Sequence, residues 1–237
     1  MIYLEYFTFP DSDREFDFFL KQKRTCYDSF YPFQILSRHH LRRIDFEPVT
    51  ILYGGNGSGK TTVLNVIGEK LRLARDSVFN KSNFFQDYLD AKYADFQMRS
   101  MDDYERLKKV TKARRLTQSR YVRSELMDNI REYSNGESAF IYFSEKITEN
   151  GLFLLDEPEN SLSPARQQEL VKFLEDSARF FGCQFVISTH SPFLLSMRGA
   201  KIYDLDEDPA DVKRWTELEN VRAYYTFFRD HCDEFTD

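Results

Sequence analysis

Apolar positions along the chain change period several times, and each change predicts an element. Short, nearly unbroken apolar runs at Val49-Thr50-Ile51-Leu52-Tyr53, Leu152-Phe153-Leu154-Leu155 and Cys183-Gln184-Phe185-Val186-Ile187-Ser188 fit strands buried on both faces of a parallel sheet. A further strand is expected over Lys201-Ile202-Tyr203. Helical stretches alternate with them, one from Lys60 to about Leu73 and one through Gln167–Leu174, with Ser163 as N-cap and Pro164 at its first position. Ile2–Phe9 mixes alternation with β-prone aromatics, and Glu15-Phe16-Asp17-Phe18-Phe19-Leu20 follows a turn at Pro10-Asp11-Ser12, so both are predicted strands of an antiparallel flap. From about residue 80 to 133 the chain is polar without a strand-like run of Val or Ile, which predicts an inserted helical lobe. The stretch from Asp211 to Phe235 carries Trp215, Leu218, Val221, Tyr224, Tyr225 and Phe228 at helical spacing and is expected to pack that face on the core or on a partner. The fold class expected is α/β, one domain over 1–237 with a mostly parallel central sheet. Its parts are an antiparallel flap at 1–50, core segments at 51–79 and 150–205, a helical lobe at 80–149 and a helical tail at 206–237.

Between the first apolar run and the first helix lies Gly54-Gly55-Asn56-Gly57-Ser58-Gly59-Lys60-Thr61, which is G-x-x-x-x-G-K-[ST] in a strand–loop–helix context. Its glycines open backbone angles closed to other residues, so that successive N–H groups can face a phosphate chain seated on a helix N-terminus. The core expected is therefore that of a P-loop NTPase, and the loop with Thr62 supplies the candidate nucleotide-binding residues. Lys60 is expected to reach the β- and γ-phosphates and Thr61 to offer its hydroxyl to Mg²⁺. The run Leu152–Leu155 ends in Asp156-Glu157. Ligands of open α/β sheets lie outside the carboxyl ends of the strands, so Asp156 is placed to hold Mg²⁺ through its water shell, and Glu157 to orient or deprotonate an attacking water. His190, at the tip of the next buried strand, can donate a hydrogen bond to a γ-phosphate oxygen.

Charge and composition narrow the setting. Against 39 Asp and Glu stand 33 Lys and Arg, a net charge of −6, which argues against a uniformly basic nucleic-acid coat but leaves room for a local patch. Residues 106–123 hold such a patch: Arg106, Lys108, Lys109, Lys112, Arg114, Arg115, Arg120 and Arg123, with no acid. An exposed basic helix and a contact with nucleic acid or an acidic partner both fit it. Cys26, Cys183 and Cys232 form no C-x-x-C pair, the N-terminus lacks a signal-peptide pattern, and no apolar stretch reaches the length of a membrane span, so a cytoplasmic chain without direct membrane insertion is expected. Tyr27, Phe30, Tyr31 and Phe33 fit either plain core or an adenine-stacking aromatic. Asp204-Leu205-Asp206 is a D-x-D with thirty-one residues after it, too few for a nuclease domain, and reads as an acidic loop.

Gly54–Thr61, Tyr133-Ser134-Asn135-Gly136-Glu137, Asp156-Glu157, Ser161-Leu162-Ser163 and His190 occur in the order of the ATP-binding cassette fold: phosphate loop, signature, acidic strand end, dimer loop and switch histidine. Over residues 50–205 the chain resembles a stand-alone member of the RecF/SMC-like branch of small bacterial ATPases. The signature departs from the transporter form, with Tyr133 where Leu is usual, Asn135 for Gly and Glu137 for Gln, and its S-x-G-E is similar to the RecF-like and SMC-like form. The resemblance implies Mg²⁺-dependent ATP hydrolysis coupled to closure of an ATP-dependent head-to-tail homodimer. Each of its two nucleotides would touch one subunit's Lys60 loop and the partner subunit's Ser134 and Gly136, within a signature that ends in Glu137. It also implies that Gln86, with Gln97 and Gln118 as alternatives, senses Mg²⁺ and the attacking water. The role implied is a soluble motor or switch acting on DNA or a partner effector in repair, chromosome maintenance or phage defence. The ATP-binding subunit of an ABC transporter is the alternative.

Overall fold

Two sheets of different character make up the computed structural model, which describes residues 1–26, 29–75, 81–90, 94–99, 114–117 and 142–235. The strands are β1 Leu4–Thr8, β2 Arg43–Asp45, β3 Val49–Tyr53, β4 Ala74–Arg75, β5 Asp95–Met98, β6 Arg114–Thr117, β7 Leu152–Asp156, β8 Gln184–Ser188, β9 Lys201–Asp204 and β10 Asp211–Lys213. Seven of them form a central sheet in the order β10-β9-β3-β8-β7-β6-β4, parallel except for the β10–β9 pair. The other three form an antiparallel sheet, β2-β1-β5. The helices are α1 Ser12–Lys21, α2 Lys60–Lys70, α3 Phe85–Asp90, α4 Pro164–Phe180, α5 Pro192–Leu195 and α6 Glu219–Asp230.

The central strands are apolar throughout because each face has its own core. Leu52, Leu152, Leu154 and Val186 point to one side, against Val63, Leu64, Val66 and Ile67 of α2 and the antiparallel sheet. Their sequence neighbours Ile51, Phe153, Leu155, Phe185 and Ile187 point to the other, against Leu170 and Leu174 of α4 and Leu194 and Leu195 of α5. The parallel register brings the carboxyl ends together: Asp156 lies opposite Ser188, Leu52 opposite the same Ser188, and Tyr53 opposite Asp204. The loops that leave these ends form the candidate site.

One buried amide ties the two sheets together. Gln184, fully buried at the start of β8, accepts from the backbone N–H groups of Tyr3 and Leu4 through Oε1 (2.8 and 2.9 Å) and donates through Nε2 to Leu4 O (2.9 Å) and Glu47 O (3.3 Å). Gln184→Leu keeps most of the volume but leaves these buried backbone groups unpaired. It is expected to cost about 2–4 kcal/mol of stability, read as a lower urea midpoint. An unchanged midpoint would show that this amide does not hold the flap.

Several expectations are corrected. The strand expected over Glu15–Leu20 is helix α1: the Asp11 side chain caps it by accepting from Arg14 N, and Glu15, Phe18 and Phe19 share the inward face while Phe16 and Leu20 are exposed. Aromatic β-propensity yielded to the cap and to helical spacing. The stretch from 80 to 133 is not helical throughout, since α3 is followed by β5, which pairs with β1, and by β6, which pairs with β7. A buried apolar strand such as β7 needs a hydrogen-bonding neighbour on both edges, and β6 supplies one despite its sequence. Arg114 and Arg115 of the basic patch therefore lie in a sheet strand, not a helix, while the other six basic residues lie outside the described residues. The tail is also shorter in helix than expected. Leu218 and Val221 are buried, but Tyr224, Tyr225, Phe227 and Phe228 of α6 are each between 50% and 56% exposed, so that aromatic face is not packed on the described core.

Candidate functional site

The phosphate loop is shaped by backbone that only glycine adopts readily. Gly57 has φ 88°, with no atom of the described residues within 4 Å of where a Cβ would stand, and Gly59 has φ 97°, where a Cβ would come within 2.9 Å of Leu36 Cδ2. From Gly59 the chain enters α2, whose N-terminus has no side-chain cap. Its first N–H groups are thus left for another acceptor, as in an anion-binding helix start. Lys60, 5% exposed, folds back across the loop, its Nζ donating to Gly54 O (2.5 Å) and Gly55 O (3.0 Å). Burial holds the ammonium below its usual range, against Glu157, Asp206, Asp156 and Glu159, whose charges pull it back up.

The acidic strand end meets the loop directly. Thr61 Oγ1 donates to Asp156 Oδ1 (3.2 Å), which also accepts from Ser188 Oγ (2.6 Å). Glu157 leaves the strand with φ 48°; its N–H donates to Ser188 O (2.9 Å), and its Oε2 accepts from Asn160 Nδ2 (3.0 Å). That backbone turn aims the carboxylate at His190, whose Nε2 lies 3.7 Å from Glu157 Oε1, beyond hydrogen-bond reach. His190 Nε2 is buried and has no hydrogen-bond partner among the described residues. Burial and the neighbouring Lys60 lower the imidazole pKa, with Glu157 and Asp206 opposing, so the ring is neutral at pH 7 and can donate one N–H.

Two carboxylates of this site escape a reading by motif. Glu159 Oε1 accepts from Thr189 Oγ1 (2.6 Å), His190 N (2.8 Å) and Ser191 N (3.3 Å), and so sets the backbone that carries His190. Burial raises its pKa. Asp206 accepts from Gly55 N through Oδ2 (2.6 Å), so the acidic loop after β9 touches the phosphate loop. On the far side of His190, Asn220 Nδ2 donates to His190 O (2.9 Å) and Asn220 N to the Tyr53 hydroxyl (3.3 Å), joining the start of α6 to the switch segment.

The structure thus brings Gly54–Thr62, Asp156, Glu157 and His190 to one place. Gln86 is not among them: it is exposed on α3, its Nε2 donates to Asp90 Oδ1 (2.9 Å), and among the described residues nothing links it to Thr61 or Asp156. Its side chain is engaged on its own helix, one turn along. Ser134, Gly136 and Glu137 lie outside the described residues, as do Tyr27 and Gln118. Phe30 and Phe33 pack in the aromatic core against Phe19, Phe84 and Phe18, and Tyr31 accepts from Asn65 Nδ2 of α2 (2.6 Å), which fits the core reading of that cluster. The open cradle at Gly57, the uncapped start of α2 and the unpartnered His190 Nε2 fit a phosphate chain, and the hard-oxygen pair Thr61–Asp156 fits Mg²⁺.

The ABC transporter family model matches residues 43–160, and the model described as "AAA domain, putative AbiEii toxin, Type IV TA system" matches residues 129–196. The erythromycin resistance ATP-binding protein MsrA of Staphylococcus epidermidis is 27% identical over 177 residues, which cover 73% of this chain and 32% of that protein. The chain thus spans about a third of that relative's length. Among solved structures, a nucleotide-free ATP-binding cassette from an ABC transporter overlaps 95% of this chain and 96% of its own at 15% identity and a TM-score of 0.47. The SMC head domain from Thermotoga maritima overlaps 73% of this chain and 92% of its own at 14% identity and a TM-score of 0.42. Among the described residues no helix is long and apolar enough to cross a membrane. Phosphate loop, acidic strand end and partial family matches point the same way: over residues 43–196 the chain is similar to ABC and AAA domains, and its site fits ATP.

Proposed function

We propose that the chain hydrolyses ATP to ADP and phosphate at this site and that closure of a head-to-tail homodimer is the mechanical output. The observation that carries the proposal is the meeting of Thr61, Asp156, Glu157 and His190 at the ends of adjacent parallel strands, around the Lys60 loop. Magnesium held by Thr61 and Asp156 would neutralise charge on the β- and γ-phosphate oxygens. Lys60 binds those oxygens in exchange for its two loop carbonyls. Glu157 accepts the proton of the attacking water, and neutral His190 donates its N–H to the γ-phosphate, held on its line by Glu159 and Asn220.

In this reading Ser134, Gly136 and Glu137 supply the partner's contact, and S-x-G-E supports a place in the RecF/SMC-like branch. A cytoplasmic motor or switch acting on DNA or a partner effector is the leading role, supported by the toxin–antitoxin family match over residues 129–196. The transporter-subunit reading rests on the match over residues 43–160 and stands beside it. Light scattering with Mg·ATP and with ADP tests the assembly. Glu157→Gln is expected to double in molar mass with Mg·ATP only, and adding Ser134→Arg is expected to return it to monomer. A constant mass in every condition would refute the sandwich.

A further inference from the structure

The D-x-D that begins on the last residue of β9 is tied to the phosphate loop. Leu205 N donates to Tyr53 O (2.9 Å), which fixes the segment to the end of β3 where the loop begins. Asp204 is buried and paired with Lys213 Nζ (3.0 Å), and its Oδ1 accepts from Asp206 N (3.1 Å), so the first acid of the pair orients the second. Asp206 then sets its carboxylate over the first two glycines. Oδ2 accepts from Gly55 N at 2.6 Å, and a Cβ on Gly54 would stand 3.2 Å from Oδ1. Those two glycines are the residues whose carbonyls hold Lys60 Nζ. The carboxylate is therefore one peptide unit away from the cation that receives phosphate.

We propose that Asp206 is a specificity-determining residue of the nucleotide site, its fixed negative charge weakening the binding of the triphosphate relative to the diphosphate. This rests on the nucleotide-site reading above. The charge of Asp206 acts on both Lys60, assigned to the β- and γ-phosphates, and His190, assigned to the γ-phosphate alone. A third phosphate therefore brings the added negative charge towards Asp206, and ADP, lacking it, is repelled less. An Asn at 206 keeps an oxygen for Gly55 N–H and removes only the charge.

The test is titration of the full chain with fluorescent analogues of ATP and ADP, with Mg²⁺, for the wild type, Asp206→Asn and Asp206→Ala. For Asp206→Asn the dissociation constant for the ATP analogue is expected to fall about fivefold, while that for the ADP analogue changes less than about twofold, and the difference narrows at high salt. In Asp206→Ala the lost hydrogen bond weakens both nucleotides, but the ratio of affinities still moves towards ATP. An unchanged ratio in both variants, or equal weakening of both nucleotides, would overturn the proposal and leave Asp206 as a brace of the loop. A wild-type chain that binds neither analogue would overturn the nucleotide-site reading itself, and this proposal with it.

Discussion

Lys60→Ala is expected to weaken ATP binding at least about tenfold, or about 1.4 kcal/mol, in titration with a fluorescent ATP analogue. Lys60 is the cation at the centre of a site ringed by Glu157, Asp206, Asp156 and Glu159. Without it, a bound triphosphate meets those carboxylates with no ammonium between them. The effect on affinity should exceed any effect on folding, because the packing of α2 depends on Val63, Leu64, Val66 and Ile67, not on the lysine. Unchanged affinity would remove the basis for placing phosphate at this loop.

Glu157→Gln is expected to reduce steady-state turnover by about 10²–10⁴-fold, the range of a lost general base, while ATP binds at least as tightly as in the wild type. Gln matches Glu in shape, and Oε1 of an amide still accepts from Asn160 Nδ2, so the turn at φ 48° has no reason to relax. What disappears is the basic oxygen that faces His190. Removing that negative charge near the γ-phosphate also favours the closed, ATP-bound state. Turnover within about twofold of the wild type would exclude Glu157 from the proton transfer.

The parts of this site that are legible in the sequence are those whose geometry is local. A phosphate loop needs its glycines, Lys60 and Thr61 within eight consecutive positions, and Asp156-Glu157 and His190 each follow an apolar run whose burial is evident. Glu159 and Asp206 are not legible because their partners are distant in the chain: Glu159 acts on Thr189, His190 and Ser191, and Asp206 on Gly55. The same holds for Gln184, which reads as an interruption in an apolar strand until Tyr3 and Leu4 are placed beside it. Strand β6 is hidden for a different reason. Arg114-Arg115-Leu116-Thr117 carries no strand pattern of its own, and its conformation follows from the open edge of β7. At α1 the sequence carries a helix signal in the capping residue Asp11, while the aromatic residues after it favour a strand by propensity alone.

The claim on which the rest depends is that the carboxylate beside Asp156 hydrolyses metal-bound ATP. Phosphate released by the purified chain, wild type and Glu157→Gln, with ATP and either Mg²⁺ or EDTA, measures it most directly. The account predicts continuous release from the wild type with Mg²⁺, none with EDTA, and ATP retained unhydrolysed by Glu157→Gln. Equal release from both proteins, or release that persists in EDTA, would contradict it.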